Sequence, residues 1–264
     1  MHATASPPII EPELLMLAYR SGIFPMSDSR DDPEIFWVEP RLRAILPLDG
    51  FRLSSSLART LRRGRFQVTC NAAFPQVLEA CAAPRDDGEG SWISHRIQAS
   101  YETLHELGQA HSIECWQEDD SGKPELVGGL YGVGFERVFC GESMFSRRSD
   151  ASKVAMSWLV AALRKGGAQL LDCQFITPHL ASLGAMEIEQ AQYLALLKQA
   201  QASGSTGSSS GVGDAAGLAG AAGAGRGVVR PLPEAFGALL DEAASVGLAS
   251  SPGKLIAQAL SQTS

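Results

Sequence analysis

The sequence predicts an α/β (α+β) fold in which a small N-terminal lobe leads into a mixed, mostly antiparallel sheet. Three observations predict it. Three strand-like runs follow one another with no helix between them, which favours antiparallel hairpins. One late amphipathic helix then separates them from a further strand, and such a crossover adds a parallel or splayed partner. Ahead of both, residues 25–47 are rich in turn formers and aromatics, including Phe36, Trp37 and Pro40, and read as an irregular lobe.

Taken in order, residues 66–70 alternate apolar and polar side chains as a strand does. Helices are predicted over 73–83 and 94–107, the second stopped by Gly108 where a C-cap glycine belongs. The three successive strands cover 111–116, 126–133 and 138–145. The late helix covers 151–165, with Asp150 as its N-cap and Gly166-Gly167 at its end, and a strand over 168–176 follows it. This order of elements is the layout of the N-acetyltransferase superfamily fold. Residues 203–227 are almost entirely Gly, Ser and Ala, too little apolar surface to order a segment. Short helices are predicted beyond it, over 233–246 and 252–260. The expected divisions are a lobe over 1–64, a catalytic domain over 65–200, and a linker and tail over 201–264.

The chain has 264 residues, 45% hydrophobic and 19% charged, a globular composition large enough for a sizeable core. A net charge of −7 argues against broad adhesion to nucleic acid but leaves room for a local patch. Such a patch is present: Arg41, Arg43, Arg52, Arg59, Arg62, Arg63 and Arg65 are opposed only by Asp49. It reads either as a solvated helix face or as a contact to an RNA backbone. No basic stretch and apolar core open the chain as in a signal peptide, and no apolar run is long enough to span a bilayer. The five cysteines include no CxxC pair and no Cys/His cluster, which fits reduced thiols in a cytoplasmic protein without a metal.

Four groups of residues could carry chemistry. In the run Leu171-Asp172-Cys173-Gln174-Phe175, strand alternation puts Leu171, Cys173 and Phe175 on a core face, which speaks against Cys173 as a nucleophile. Asp172 and Gln174 share the other face, where they either meet water or line a cleft with the carboxylate orienting the amide. Glu142 sits among apolar neighbours near a strand end, and buried carboxylates are rare unless paired or functional. Met156, Leu159, Val160 and Leu163 form one helical stripe, which is core unless a cavity faces it; Leu130 and Phe139 could supply the opposite wall. Trp37, Trp92 and Tyr101 are suited to stacking on a planar ligand or to anchoring a core.

Read together, several segments resemble the leucyl/phenylalanyl-tRNA–protein transferase family. They are Ala18-Tyr19-Arg20-Ser21-Gly22-Ile23-Phe24-Pro25, Trp92-Ile93, the run from Leu104 to Glu114, Leu126-Val127-Gly128-Gly129-Leu130-Tyr131-Gly132-Val133, Gly141-Glu142-Ser143-Met144-Phe145-Ser146, Ala151-Ser152-Lys153, Asp172-Cys173-Gln174, and His179-Leu180-Ala181-Ser182-Leu183-Gly184-Ala185. The resemblance implies a bacterial enzyme that joins Leu or Phe to proteins beginning with Lys or Arg, marking them for N-degron proteolysis. It implies a pocket for the transferred side chain at Leu130, Phe139, Met156, Leu159 and Leu163. The 3′-terminal adenosine would lie near Trp37 and Trp92, with Tyr101, Glu142, Asp172 and Gln174 around the reacting ester. Arg41, Arg43, Arg59, Arg62 and Arg63 would meet the tRNA backbone.

The implied reaction is aminolysis of an activated ester, which needs no ATP, metal or other cofactor. Asp172 is expected to orient Gln174, whose carbonyl aligns the acceptor amine, with water or a ribose hydroxyl taking the proton. An apolar pocket discriminates poorly by one methylene, so some Met transfer is expected beside Leu and Phe. Glu142, Glu114 and Asp172 are the candidates for reading a basic acceptor residue. The expected protein is a cytoplasmic monomer without a membrane partner. Two rivals remain: an acyl-CoA N-acetyltransferase, disfavoured because Arg147-Arg148-Ser149-Asp150-Ala151-Ser152 holds no glycine for a pyrophosphate loop, and a noncatalytic tRNA- or degron-binding module.

Overall fold

A computed structural model describes residues 9–84, 90–202 and 229–261. Helix α1 (Pro12–Arg20) starts on a proline that needs no donor, and the short strands β1 (Phe24–Met26) and β2 (Phe36–Val38) form a small antiparallel hairpin. Strand β3 (Leu42–Ile45) and helix α2 (Ser55–Arg62) follow, the helix capped by the Ser54 hydroxyl on the Leu57 N–H at 3.2 Å. Then come β4 (Gln67–Cys70), α3 (Phe74–Ala82), α4 (His95–Glu106), β5 (Ala110–Glu118), β6 (Pro124–Phe135) and β7 (Val138–Ser146). Helix α5 (Ala151–Gly166) crosses over to β8 (Leu170–Gln174), and α6 (Pro178–Ser182), β9 (Met186–Glu189) and α7 (Gln190–Ala202) complete the domain. Helices α8 (Leu232–Ser245) and α9 (Gly253–Ser261) end the described chain.

The main sheet has seven strands in the order β4-β5-β6-β7-β8-β3-β9. Every pair is antiparallel except β7 with β8, which the α5 crossover makes parallel, so the mixed, mostly antiparallel sheet is as expected. Both faces are covered. On one, α5 packs with α2, α8 and α9 over Leu130, Met156, Leu159 and Ile256; on the other, α1, α3, α4 and α7 close over Tyr19, Phe74, Tyr101 and Tyr193. The glycine stops are as predicted: Gly108 and Gly167 both hold positive φ just past a helix end.

Three local expectations differ. Asp150 stands at the N-cap of α5 as expected, but its side chain makes no capping hydrogen bond; it sits at φ 71° and accepts from the Thr60 hydroxyl at 3.3 Å, while the Ser146 hydroxyl accepts from the Ser152 N–H. The pairing of residues 42–45 with 170–174 was not foreseen: β3 lies between β8 and β9, so a lobe drawn over 1–64 would take an interior strand, next to the edge, out of the sheet. The expected tail over 201–264 includes α8 and α9, which pack on α5, with the Trp158 and Phe236 rings 5.0 Å apart. The Gly/Ser/Ala run over 203–227 lies outside the described residues.

Parallel pairing of β7 and β8 covers only Val138–Cys140 against Leu170–Asp172. Beyond it the two strands splay. At Gln174 the backbone turns into the left-handed region, φ 56°, which ends β8 and widens the gap. That splay is where the site forms.

Candidate active site

A cavity of about 550 Å³ occupies the splay, walled by the outer half of β7, the end of β8, one side of α5 and the β1 hairpin strand. Its apolar wall includes Leu130, Met144, Met156, Leu159 and Leu180; Glu142 and Gln174 supply polar groups, and Trp92 stands at its edge. Four predicted pocket residues, Leu130, Glu142, Met156 and Leu159, therefore line one space. Phe139 and Leu163 do not. Both are buried further along their elements, and they border a second cavity of about 210 Å³ at the opposite end of the strands. On α5 Leu163 stands one helical turn beyond Leu159, too far along the axis to reach the splay.

A bulge aims Glu142. In the β6–β7 ladder Tyr131 faces Ser143 and Gly132 faces Gly141, so Glu142 is the extra residue of β7. Its neighbours fix the carboxyl: Tyr101 donates to Oε2 at 3.1 Å and the Gln174 amide nitrogen to Oε1 at 3.1 Å, with the Tyr19 and Tyr101 hydroxyls bonded behind. Burial pushes the Glu142 carboxyl up to about 8, helped by the negative charge of Asp172 and opposed by the Tyr19 and Tyr101 hydrogen bonds and by Arg43.

Asp172 lies just inside, fully buried. Arg43 donates to both of its oxygens, Nε to Oδ1 at 2.8 Å and Nη2 to Oδ2 at 2.6 Å, in the bidentate geometry that a planar guanidinium offers. Tyr193 donates to Oδ2 at 3.0 Å, and the Gln174 backbone N–H to Oδ1 at 2.9 Å. The guanidinium is itself held between the Phe24 and Tyr193 rings, 4.6 and 4.5 Å from their centroids, and donates to the Gly22 carbonyl at 3.0 Å.

Several placements correct the sequence reading. Asp172 and Gln174 do not share an open face: β8 is buried on both sides, and Asp172 reaches Gln174 through the backbone rather than the side-chain amide. Phe175 is 46% exposed instead of core, because the left-handed turn at Gln174 carries it out to the cavity mouth. Arg43 is 1% exposed and ion-paired, so no phosphate can reach it, whereas Arg41, Arg59, Arg62 and Arg63 are exposed. Tyr101 is fully buried and holds Glu142 rather than facing a ligand. Trp37 is exposed on β2 opposite Pro25, the hairpin face away from Phe24 and Met26 that line the cavity.

Of the three acceptor-reading candidates, Glu114 is buried away from the cavity, taking hydrogen bonds from Thr69, Ser112 and the Ala72 and Ala73 N–H groups at the start of α3. Asp172 has no position left to accept. Glu142 alone opens on the cavity. Tyr19, Arg43 and Tyr193 were missed as a unit because they come from α1, β3 and α7. Only Arg43 carried a signal, a charged residue inside the apolar run Leu42-Arg43-Ala44-Ile45-Leu46.

Residues 45–198 match the family model described as leucyl/phenylalanyl-tRNA protein transferase, and residues 9–41 match the N-terminal domain of the same family. The leucyl/phenylalanyl-tRNA–protein transferase of Novosphingobium aromaticivorans is 63% identical over 98% of both chains. That of Rhizorhabdus wittichii is 57% identical over 71% of this chain and 74% of its own. Among solved structures, L-PGS from Bacillus licheniformis aligns with 64% of this chain and 55% of that one at 14% identity and a TM-score of 0.32, too slight a likeness to bear on the site.

Proposed function

The chain belongs to the leucyl/phenylalanyl-tRNA protein transferase family, and from that membership we propose that it moves leucine or phenylalanine from tRNA onto the N-terminus of proteins beginning with Lys or Arg. The observation that carries the reading is the splay cavity, in which an apolar wall ends at Glu142 and Gln174. Leucine or phenylalanine buries apolar surface against Leu130, Met156 and Leu159, while a polar donor side chain would lose its hydration without a partner. Methionine fits the same chemistry less selectively.

Gln174 is the positioning group. Its amide nitrogen is committed to Glu142, which leaves its carbonyl oxygen to accept from the acceptor amine and hold it in line with the ester. Asp172 and Arg43 hold the backbone on which that amide stands. Glu142 is the acidic group of the cavity that would meet a basic acceptor side chain, Trp92 in the cavity wall would stack on the terminal base, and the exposed Arg41, Arg59, Arg62 and Arg63 would offer charge to the tRNA backbone. No described helix is long and apolar enough to cross a membrane. The acceptor rule fits a part in N-degron marking, and the proposal includes that the protein acts in the cytoplasm as a monomer.

The test is transfer of radiolabelled leucine from Leu-tRNA to a peptide beginning with Arg, beside one beginning with Ala. Labelling of the Arg peptide alone is expected. Binding of Leu-tRNA with no labelling of either peptide would turn the reading to a noncatalytic adaptor.

A further inference from the structure

We propose that Glu142 is the proton carrier of the transfer reaction: its carboxylate takes a proton from the attacking amine and delivers it to the ribose oxygen that leaves. The inference rests on the reading that the cavity hosts ester aminolysis. That reaction forms one N–C bond, breaks one C–O bond, and moves one proton from nitrogen to the departing ribose oxygen. Glu142 begins and ends the cycle in the same state, so no further reactant is needed.

Elimination points to it first. The titratable side chains that line the cavity are Glu142, Cys173, His179 and Tyr131. Burial drives the Cys173 thiol and the Tyr131 phenol far above neutrality, so neither ionises there. The His179 ring has its Nε2 enclosed without a partner, and burial together with Lys153 lowers its basicity. Asp172 is outside the cavity wall, with Arg43, Tyr193 and the Gln174 N–H on its oxygens. Gln174, a neutral amide, can align a proton but not hold one.

Geometry points to it second. Gln174 touches Glu142 through its amide nitrogen, so an amine held at the Gln174 carbonyl stands beside the Glu142 carboxyl. Tyr101 from α4 and Tyr19 from α1 support the carboxyl from behind, Asp172 on β8 raises its proton affinity, and Arg43 on β3 lowers it. The resulting value of about 8 matches that of a peptide α-amine, about 7.7–8.0, and proton transfer is most effective between partners of near-equal affinity.

Single-turnover transfer from Leu-tRNA to an Arg-initiated peptide tests this in the full chain. Absence of transfer by the unmodified protein would overturn the reading of the reaction and this inference with it. Given transfer, Glu142→Gln and Glu142→Ala are each expected to slow the maximal rate at saturating peptide by about 100-fold or more, whatever they do to the KM for peptide. Added formate should restore a large part of the rate to Glu142→Ala, where it has room, and none to Glu142→Gln. Tyr101→Phe removes a hydrogen bond that lowers the carboxyl, so the midpoint of its rate–pH profile should move upward although the acceptor amine is unchanged. A raised KM with the maximal rate intact would show that Glu142 only reads acceptor charge. Loss of rate without relief by formate, or a rate–pH midpoint unmoved in Tyr101→Phe, would equally overturn the proposal.

Discussion

At Asp172 four donors from two elements and the local backbone converge on one buried carboxylate, and its partner Arg43 is buried with it. Such a pair is worth little against a well-packed apolar substitute, yet removing one half leaves an uncompensated charge inside the protein. Arg43→Met is therefore expected to cost about 3–5 kcal/mol, read as a drop in the urea midpoint, and to abolish transfer in whatever fraction stays folded. Glu142 has the opposite electrostatic sense. Its carboxyl stays protonated in the folded protein up to about 8, but in the unfolded chain only up to about 4.3. Between those values the folded state holds a proton that the unfolded state releases, so stability falls as pH rises through the window and levels off above it. Glu142→Gln should flatten that decline and unfold later than the unmodified protein at pH 8, by about 1–3 kcal/mol; an unchanged pH dependence in thermal melts would contradict the assignment. On the apolar wall, Met156→Phe should cut phenylalanine transfer more than leucine transfer, shifting their ratio about tenfold in a competition between the two charged tRNAs.

At the scale of elements, the β7 bulge decides where Glu142 points, and Gly132 makes the bulge possible. A Cβ at Gly132 would run into the Cys140 carbonyl and the Phe139 ring. Gly132→Ala is expected to lower stability by about 2–4 kcal/mol and to reduce transfer beyond what the melting temperature explains, because the bulge must reset. Elements with strong periodicity were legible in the sequence: α3, α4, α5 and the strands β4 to β8 fall within a few residues of their predicted spans. The same logic failed at β3. Leu42-Arg43-Ala44-Ile45 reads as part of a basic cluster because a charge normally marks solvent, and only its distant partner Asp172 makes burial tolerable. Strand alternation also misread the end of β8, since it assumes an extended backbone through Gln174 and the chain instead turns left-handed there. Met156 and Leu159 line the cavity from a helical stripe that pattern alone reads as core, and the family resemblance is what marked them as pocket. Glu142, Asp172 and Gln174 stood out by residue type, but the bulge and the long-range pair that aim them, and the supporting Tyr19 and Tyr193, did not.

For the molecule as a whole, α8 and α9 serve as part of the core although they follow the region matched by the family model. Leu232, Phe236, Leu239, Ile256 and Leu260 are buried against α5 and α2. Burial of each of these five side chains contributes about 1.5–3 kcal/mol, together rivalling the entire stability of an ordinary domain, and their removal also uncovers the face of α5 beneath them. A chain ending at Ala202 is accordingly expected to be insoluble or to melt well below the full chain, as sedimentation and thermal unfolding would show. The place of β3 in the sheet has a further consequence, one of timing. Arg43 and Asp172 are 129 residues apart in sequence. At roughly 5–20 residues per second, synthesis separates their emergence by on the order of ten seconds. Until β8 and the Tyr193 helix have left the exit tunnel, Arg43 has no counterion and the gap between β7 and β8 has no second wall. Until then a nascent chain has no complete cavity in which to hold a transferred side chain.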